Sequence, residues 1–260
     1  MLGSFAKRYV LYAVAAAVVL LLVLAAIFVL VKPAGGSIIA YESENMSPVS
    51  GPQFSVGENY TYELVVPGST LNATLGVAGE DSVNGSRCLR VVRTFEGSVN
   101  GVAPPRFAAC YSAVNGSMEY FEAFNGTGWM RMQAGTYDSN PVMMFYEPWM
   151  LSLRDGWSGS FNVTGTLRPG AVEVVKFVQK DVSFYRFLRR ENVSGRPALV
   201  AEAVSFDVSI SGGKETFSNM LKRTVWVDEE RRVMLKEIDE GGGETAEKVL
   251  VGAPFSLYRP

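Results

Sequence analysis

Histidine is absent from this 260-residue chain, and cysteine occurs only twice, at Cys88 and Cys110. The first absence removes Ser-His-Asp triads, Cys-His pairs and imidazole metal sites together. Two cysteines without further partners do not make a zinc site. Long runs of one charge are also missing. Lys and Arg total 24 against 26 Asp and Glu, a net charge of −2, so there is no basic stripe for nucleic acid. The only glycine-rich stretch of interest, EGGGE at 240–244, sits between alternating runs and reads as a hairpin turn, not a phosphate loop. DEE at 228–230 lacks the alternating oxygen spacing of a calcium loop and reads as a solvated turn. Glu119, Glu122, Glu237 and Asp239 are carboxylates of the kind that glycosidases use in pairs, but nothing in the sequence selects one pair. These absences point away from an enzyme and imply no catalytic residues, no cofactor and no metal.

What is present first is an apolar run. Tyr9 to Val31 reads YVLYAVAAAVVLLLVLAAIFVLV, carries no charge and closes on Lys32-Pro33. About 20 such residues in a helix span a bilayer core of roughly 30 Å. The run exceeds the apolar core of about 7–15 residues in a cleaved signal peptide, so residues 1–32 read as an uncleaved single-pass anchor. Lys7 and Arg8 precede it, against Lys32 alone after it, which places the amino terminus in the cytoplasm and residues 33–260 outside. Ala13, Ala15, Ala16 and Ala17 form a small-residue patch suited to lateral packing on another membrane helix. A pilin-like filament subunit also begins with an apolar helix, but the break at Pro33 and Gly35-Gly36 opposes a helix continuing into the domain.

Eight of the eleven asparagines begin an N-x-S/T triplet without proline: Asn45, Asn59, Asn72, Asn84, Asn115, Asn125, Asn162 and Asn192. Ser and Thr together are about one residue in eight, which would give about one or two triplets by chance. Such triplets are glycan acceptors in exported proteins. In that compartment Cys88 and Cys110 pair by default, and a bridge of this span contributes about 3 kcal/mol through loop entropy. Arginine outnumbers lysine and glutamine is scarce, a heat-adapted bias. With the anchor and the sequons, it gives the chain an archaeal character.

Residues 33–53 are rich in Gly, Pro and Ser and read as a flexible tether. From Phe54 the pattern alternates with period two: NYTYELVV at 59–66, CLRVVRTF at 88–95, SMEYFEAF at 117–124, ALVAEAVSFDVSI at 198–210, RTVWVD at 223–228, RVMLKEI at 232–238 and AEKVLV at 246–251. Alternation in Val, Tyr, Phe and Trp bounded by Gly, Asn and Asp predicts strands. Three stretches repeat in order. VNGSRCLRVVR (83–93) aligns with VSGRPALVAEA (193–203), setting Gly85 on Gly195 and Cys88 on Ala198. CYSAVNGSMEYFEAFNG (110–126) aligns with 225–241, setting Cys110 on Val225. Residues 56–68 align with 154–165. Two similar units therefore follow, 54–135 and 157–252, with a tail at 253–260. On this alignment both cysteines face inward on paired strands.

Residues 136–156 break the alternation. NPVMMFYEPWMLSLRDG (140–156) is apolar, Met-rich and interrupted by Pro141 and Pro148, which predicts a loop with a short helix. Met143, Met144, Phe145, Trp149 and Met150 make a soft surface that either packs as core or forms a hydrophobic ligand or partner groove.

The order of these patterns carries a family resemblance. Gly57-Glu58-Asn59-Tyr60 opens a strand, Glu191-Asn192-Val193-Ser194-Gly195 precedes a long one, and VWVDEERRVMLK runs from Val225 to Lys236. Together they resemble the lipoprotein-carrier superfamily of extracytoplasmic half-barrels (LolA/LolB-like proteins), over residues 54–252. The resemblance implies a curved antiparallel sheet around an apolar face, with 140–156 as its lid. The anchor and sequons are not part of that family's pattern. The expected fold is thus a mostly β, curved antiparallel sheet or half-barrel of two similar units, with one N-terminal transmembrane helix and a short helical lid. The expected function is non-enzymatic: a membrane-anchored extracellular glycoprotein, either a structural or accessory component of the envelope or of a membrane complex, or a carrier of a lipid or other hydrophobic ligand.

Overall fold

A computed structural model describes residues 38–46, 48, 51–66, 68–97, 106–124, 126–133, 145–167, 177–211 and 214–257. The apolar run Tyr9–Val31 lies outside them, and no helix among the described residues is long and apolar enough to cross a membrane.

Thirteen strands form one curved, open antiparallel sheet. In chain order they are β1 (Ile38–Glu44), β2 (Asn59–Val66), β3 (Ser69–Val83), β4 (Ser86–Glu96), β5 (Phe107–Ser112), β6 (Met118–Phe124), β7 (Trp129–Gln133), β8 (Ser158–Leu167), β9 (Phe177–Val193), β10 (Arg196–Ser211), β11 (Lys214–Asp228), β12 (Met234–Gly241) and β13 (Glu244–Gly252). The spatial order is β1-β8-β9-β10-β11-β12-β13-β2-β3-β4-β5-β6-β7. It resolves into two meanders, β2 to β7 and β8 to β13, joined where β13 pairs with β2 through Lys248 and Leu64.

Turn chemistry sets the register. Type I′ hairpins need positive φ at both central residues, because only that backbone twist matches the twist of the strands. Asn84 (φ 50°) and Gly85 (82°) provide it between β3 and β4, and Ser194 (52°) and Gly195 (77°) provide it between β9 and β10. Gly85 and Gly195, aligned in sequence, thus occupy the same hairpin position in the two meanders. Gly242 (60°) and Gly243 (84°) repeat the device between β12 and β13, where EGGGE was read as a turn.

Three expectations need correction. The stretch 33–53 is not all tether, because Ile38–Glu44 is a strand paired with β8 from Ile38↔Thr166 to Glu44↔Ser160. The backbone donors and acceptors that face β8 are satisfied in the ladder, and the others lie along the edge of the sheet. Among the described residues of the lid, the helical part is a four-residue 3-10 turn, Pro148–Leu151, shorter than a pair of α-helical turns. The cysteines do form a disulfide, with Cα atoms 5.5 Å apart, but they do not face inward. Cys88, Cys110 and Tyr120 make a small cluster of their own, whereas their strand neighbours Leu89, Val91, Ala109 and Tyr111 belong to the main core. The sequence alignment slips by one residue here. Cys88 lies opposite Ser112 and Arg90 opposite Cys110, while Ala198 lies opposite Asp228 and Val200 opposite Trp226. The counterpart of Cys110 is therefore Trp226 and not Val225, and a slip of one residue exchanges the two faces of a strand.

Candidate functional site

The segment 145–157 lies across the core face of the sheet. Pro148 sits at the first position of the 3-10 turn, where its fixed φ suits the turn and its missing N–H is not needed. Hydrogen bonds tie the segment down at each end. Met234 N–H donates to the Phe145 carbonyl at 2.8 Å. Tyr146 Oη donates to the Gly116 carbonyl at 3.0 Å, and Arg232 donates to the Leu153 carbonyl at 2.7 Å. Trp157 Nε1 donates to the Asn45 carbonyl at 2.8 Å, which fastens the chain just after β1.

Aromatic rings fill the space beneath. Phe54 packs edge-on against Phe145 and Tyr146, with centroids 5.0 and 5.3 Å away, and Tyr111 meets Tyr146 at 4.9 Å. A second group stacks Trp149 on Tyr185 at 4.9 Å and on Trp157 at 6.1 Å. Such pairs contribute about 0.5–1.5 kcal/mol each beyond burial itself. Of the proposed groove residues, Phe145, Trp149 and Met150 are buried in this core. Met143 and Met144 lie outside the described residues.

Between the aromatic groups runs an ion cluster that the sequence reading missed. Arg223 on β11 is 1% exposed, Glu147 on the covering segment 3%, and Glu237 on β12 0%. Arg223 donates to both Glu147 oxygens, at 2.5 and 3.2 Å, and Glu147 also accepts from Trp149 Nε1 at 2.7 Å. Arg223 lies 3.9 Å from Glu237 Oε2. Lys248 on β13, directly opposite Glu237 in the ladder, donates to Glu237 Oε1 and lies 3.0 Å from Asp239. Three carboxylates thus share two cations.

Burial governs the protonation of the cluster. It raises the Glu237 carboxyl above its usual range, and Lys248 and Arg223 only partly offset this. On Arg223 and Lys248 burial acts downward, but the carboxylates around them prevail and raise both. Arg223 Nε is buried with no hydrogen-bond partner among the described residues, whereas the Glu237 and Asp239 carboxyls share a hydrogen bond with each other, which adds to the rise of Glu237.

The other carboxylates singled out in the sequence do not join this cluster. Glu122 is held with Arg90 at 2.9 Å and Arg131 at 3.2 Å. Arg131 lies over Tyr120, a member of the disulfide cluster on the opposite face. Glu119 is half-buried on β6. No group of three or more metal-ligating side chains occurs among the described residues. One signal of the cluster was present in the sequence: Glu147 is the single charge within an apolar run from Val142 to Leu151.

Site and sheet together define a class: an open antiparallel sheet covered on one face by its own connecting segment. No family model matches the chain, and no curated protein matches it. Solved structures align with most of the chain at low similarity. A Parabacteroides distasonis protein classed provisionally as a lipoprotein shares 9% identity, covering 78% of this chain and 98% of its own, with a TM-score of 0.41. A Bacteroides fragilis protein classed provisionally as exported, with a YmcC-like fold, shares 10% over 79% and 99%, with a TM-score of 0.36. A Vibrio parahaemolyticus domain classed provisionally as an outer membrane lipoprotein-sorting protein shares 11% over 76% and 85%, with a TM-score of 0.31. Likeness at this level carries neither family membership nor function.

Proposed function

We propose that the chain is a non-enzymatic, membrane-anchored extracytoplasmic module that binds an amphiphile on the covered face of its sheet. The supporting observation is the buried ion cluster of Glu147, Arg223, Glu237, Lys248 and Asp239. A buried ion cluster is seldom more stabilising than apolar side chains of the same volume. Its presence between two aromatic groups is accounted for by recognition of a polar head, an amine or hydroxyl accepted by Glu237 and Asp239. The aromatic rings and Met150, continued along the chain by Met144 and Met143, would take the apolar part. Tyr9–Val31 anchors the module, and the sequons mark it as exported.

One observation favours a second reading. Phe145, Trp149 and Met150 are buried in the protein's own core, as a purely structural envelope component would require. Native mass spectrometry of the full-length protein extracted in detergent separates the two. Binding predicts a stoichiometric amphiphile, reduced at least tenfold in the Glu237→Gln/Asp239→Asn variant, compared at a temperature where circular dichroism shows both proteins folded. A bare protein, both as extracted and after incubation with mixed phosphatidylcholine and phosphatidylethanolamine vesicles, overturns binding in favour of the structural role.

A further inference from the structure

The two ends of the sheet differ in kind. One end gathers the β3–β4, β5–β6, β9–β10 and β11–β12 turns and the close of β13. At the other end β1 begins, beside Thr166 near the close of β8, along with the β2–β3, β10–β11 and β12–β13 turns. Only residues 33–37 separate Lys32 from β1, a span of at most about 20 Å. The start of β1 is thus held close to the end of the apolar run. β10, with 16 residues, carries the sheet about 50 Å from one end to the other at 3.3 Å per residue.

The sequons divide along the same axis. Asn84 and Asn115 lie in the β3–β4 and β5–β6 turns, Asn192 adjoins the β9–β10 turn, and Asn45 follows the close of β1; all four are exposed. Asn192 is paired only through Pro197, because β8 stops opposite Arg186. At Asn115 the Ser117 hydroxyl donates to Oδ1 at 2.8 Å, and no hydrogen bond engages the side-chain amide nitrogen among the described residues. Asn59 lies at the same end, but its Nδ2 donates to the Gly57 carbonyl at 3.3 Å. Asn72 and Asn162 are different. Each sits within a strand paired on both sides, Asn72 with Glu63 and Glu96, Asn162 with Glu42 and Val182.

We infer that Asn84, Asn115 and Asn192 carry N-linked glycans forming a rim at the end of the sheet farthest from the chain's membrane side, that Asn45, at the close of the short β1 and partway along that axis, carries one as well, and that Asn72 and Asn162 stay unmodified. The inference rests on the extracytoplasmic reading above. The transferring enzyme must draw the tripeptide out of the fold. A turn or strand end permits this, whereas a tripeptide held in two ladders does not. In the transfer the Asn amide nitrogen bonds to the anomeric carbon of a phosphate-activated oligosaccharide. The carbon–oxygen bond to phosphate breaks, the nitrogen loses one proton, and the phosphate leaves with the electron pair.

The test is site mapping on unmutated full-length protein from a host whose export pathway N-glycosylates. Enzymatic glycan release in heavy-oxygen water converts each occupied Asn to a mass-tagged Asp. The expected result is tagging at Asn45, Asn84, Asn115 and Asn192, with at least tenfold less at Asn72 and Asn162. Comparable tagging at Asn72 or Asn162, or none at the rim, overturns the inference. In a parallel sample, protease is added outside intact cells. An untagged domain that the protease removes leaves the extracytoplasmic reading standing, whereas an untagged domain that the protease spares overturns both.

Discussion

Glu147 and Arg223 stand 76 residues apart in the chain and meet at 2.5 Å in a site closed to water. One belongs to the segment over the sheet and the other to β11, so this pair latches cover to scaffold. Removing one partner of a buried ion pair costs about 3–5 kcal/mol, because the other is left uncompensated. Arg223→Met is expected to lose about that much in denaturant unfolding. Glu147→Leu combined with Arg223→Met should lose less than the sum of the single changes, by about 0.5–3 kcal/mol of coupling. Strict additivity would show that the two side chains do not act as a unit.

Gly116 is the seat for the latch's neighbour. Its φ is +71°, and a Cβ there would stand 2.1 Å from Tyr146 Oη and 2.5 Å from Leu151 Cδ1. Gly116→Ala is expected to destabilise by about 2–4 kcal/mol, combining backbone strain with overpacking. Near-ultraviolet circular dichroism should report loosening around Tyr146. An unchanged melting temperature would contradict the close approach.

The Cys88–Cys110 bridge closes a loop with a sequence separation of 22. In the chain-entropy picture such a crosslink contributes about 3 kcal/mol. Because it lies apart from the main core, Cys88→Ala/Cys110→Ala should lower the unfolding free energy by about this much while leaving Trp149 and Trp157 fluorescence of the folded state unchanged. A shift in that fluorescence would place the bridge in the main core.

Alkaline pH should unfold the protein through its buried phenols. Burial first raises Tyr62, Tyr146 and Tyr185 above the ordinary value of 10.0, helped by the neighbouring phenols Tyr60 on Tyr62 and Tyr111 on Tyr146, and by the Glu147 carboxylate on Tyr185. Raised values mean that the folded state keeps protons the unfolded state releases. Stability from these groups is therefore full below pH 10 and falls above it, by about 1.4 kcal/mol per pH unit for each phenol. Lys248, raised by Glu237 and Asp239 against the effect of burial, acts in the same direction above its ordinary 10.5. Unfolding free energy against pH, read beside phenolate absorbance, checks this. Phenolate forming before unfolding would show that these rings reach water.

Alternation exposed β2, β4, β6, β10, β12 and β13, because each presents one apolar and one polar face. β3 and β9 escaped notice although they are among the longest. β3 (STLNATLGVAGEDSV) is thinned by Ala, Gly and Asn, and β9 (FVQKDVSFYRFLRRENV) carries Lys180, Arg186, Arg189 and Arg190. Its arginines are satisfied across space, Arg190 by Asp155 at 3.0 Å and Arg186 by Glu202 at 2.6 Å, and no local pattern registers such partners. Of the ion cluster, Lys248 looks like an ordinary strand position in the sequence, and Glu237 and Asp239 stand out only among four carboxylates with nothing to choose between them, because their burial depends on what covers the sheet.

The sequence by itself determined the local matters: β-structure with sharp turns, the type I′ hairpins at Asn84-Gly85 and Ser194-Gly195, a chemistry without histidine, and a run of chain long and apolar enough to span a bilayer. Each depends on residues within a few positions of one another. Only the tertiary structure decided that residues 38–44 join the sheet, that the disulfide faces away from the main core, and that Glu147 finds Arg223. Those outcomes depend on cross-strand register and on what packs over each face. A one-residue shift in register exchanges a strand's two faces while leaving its local composition unchanged.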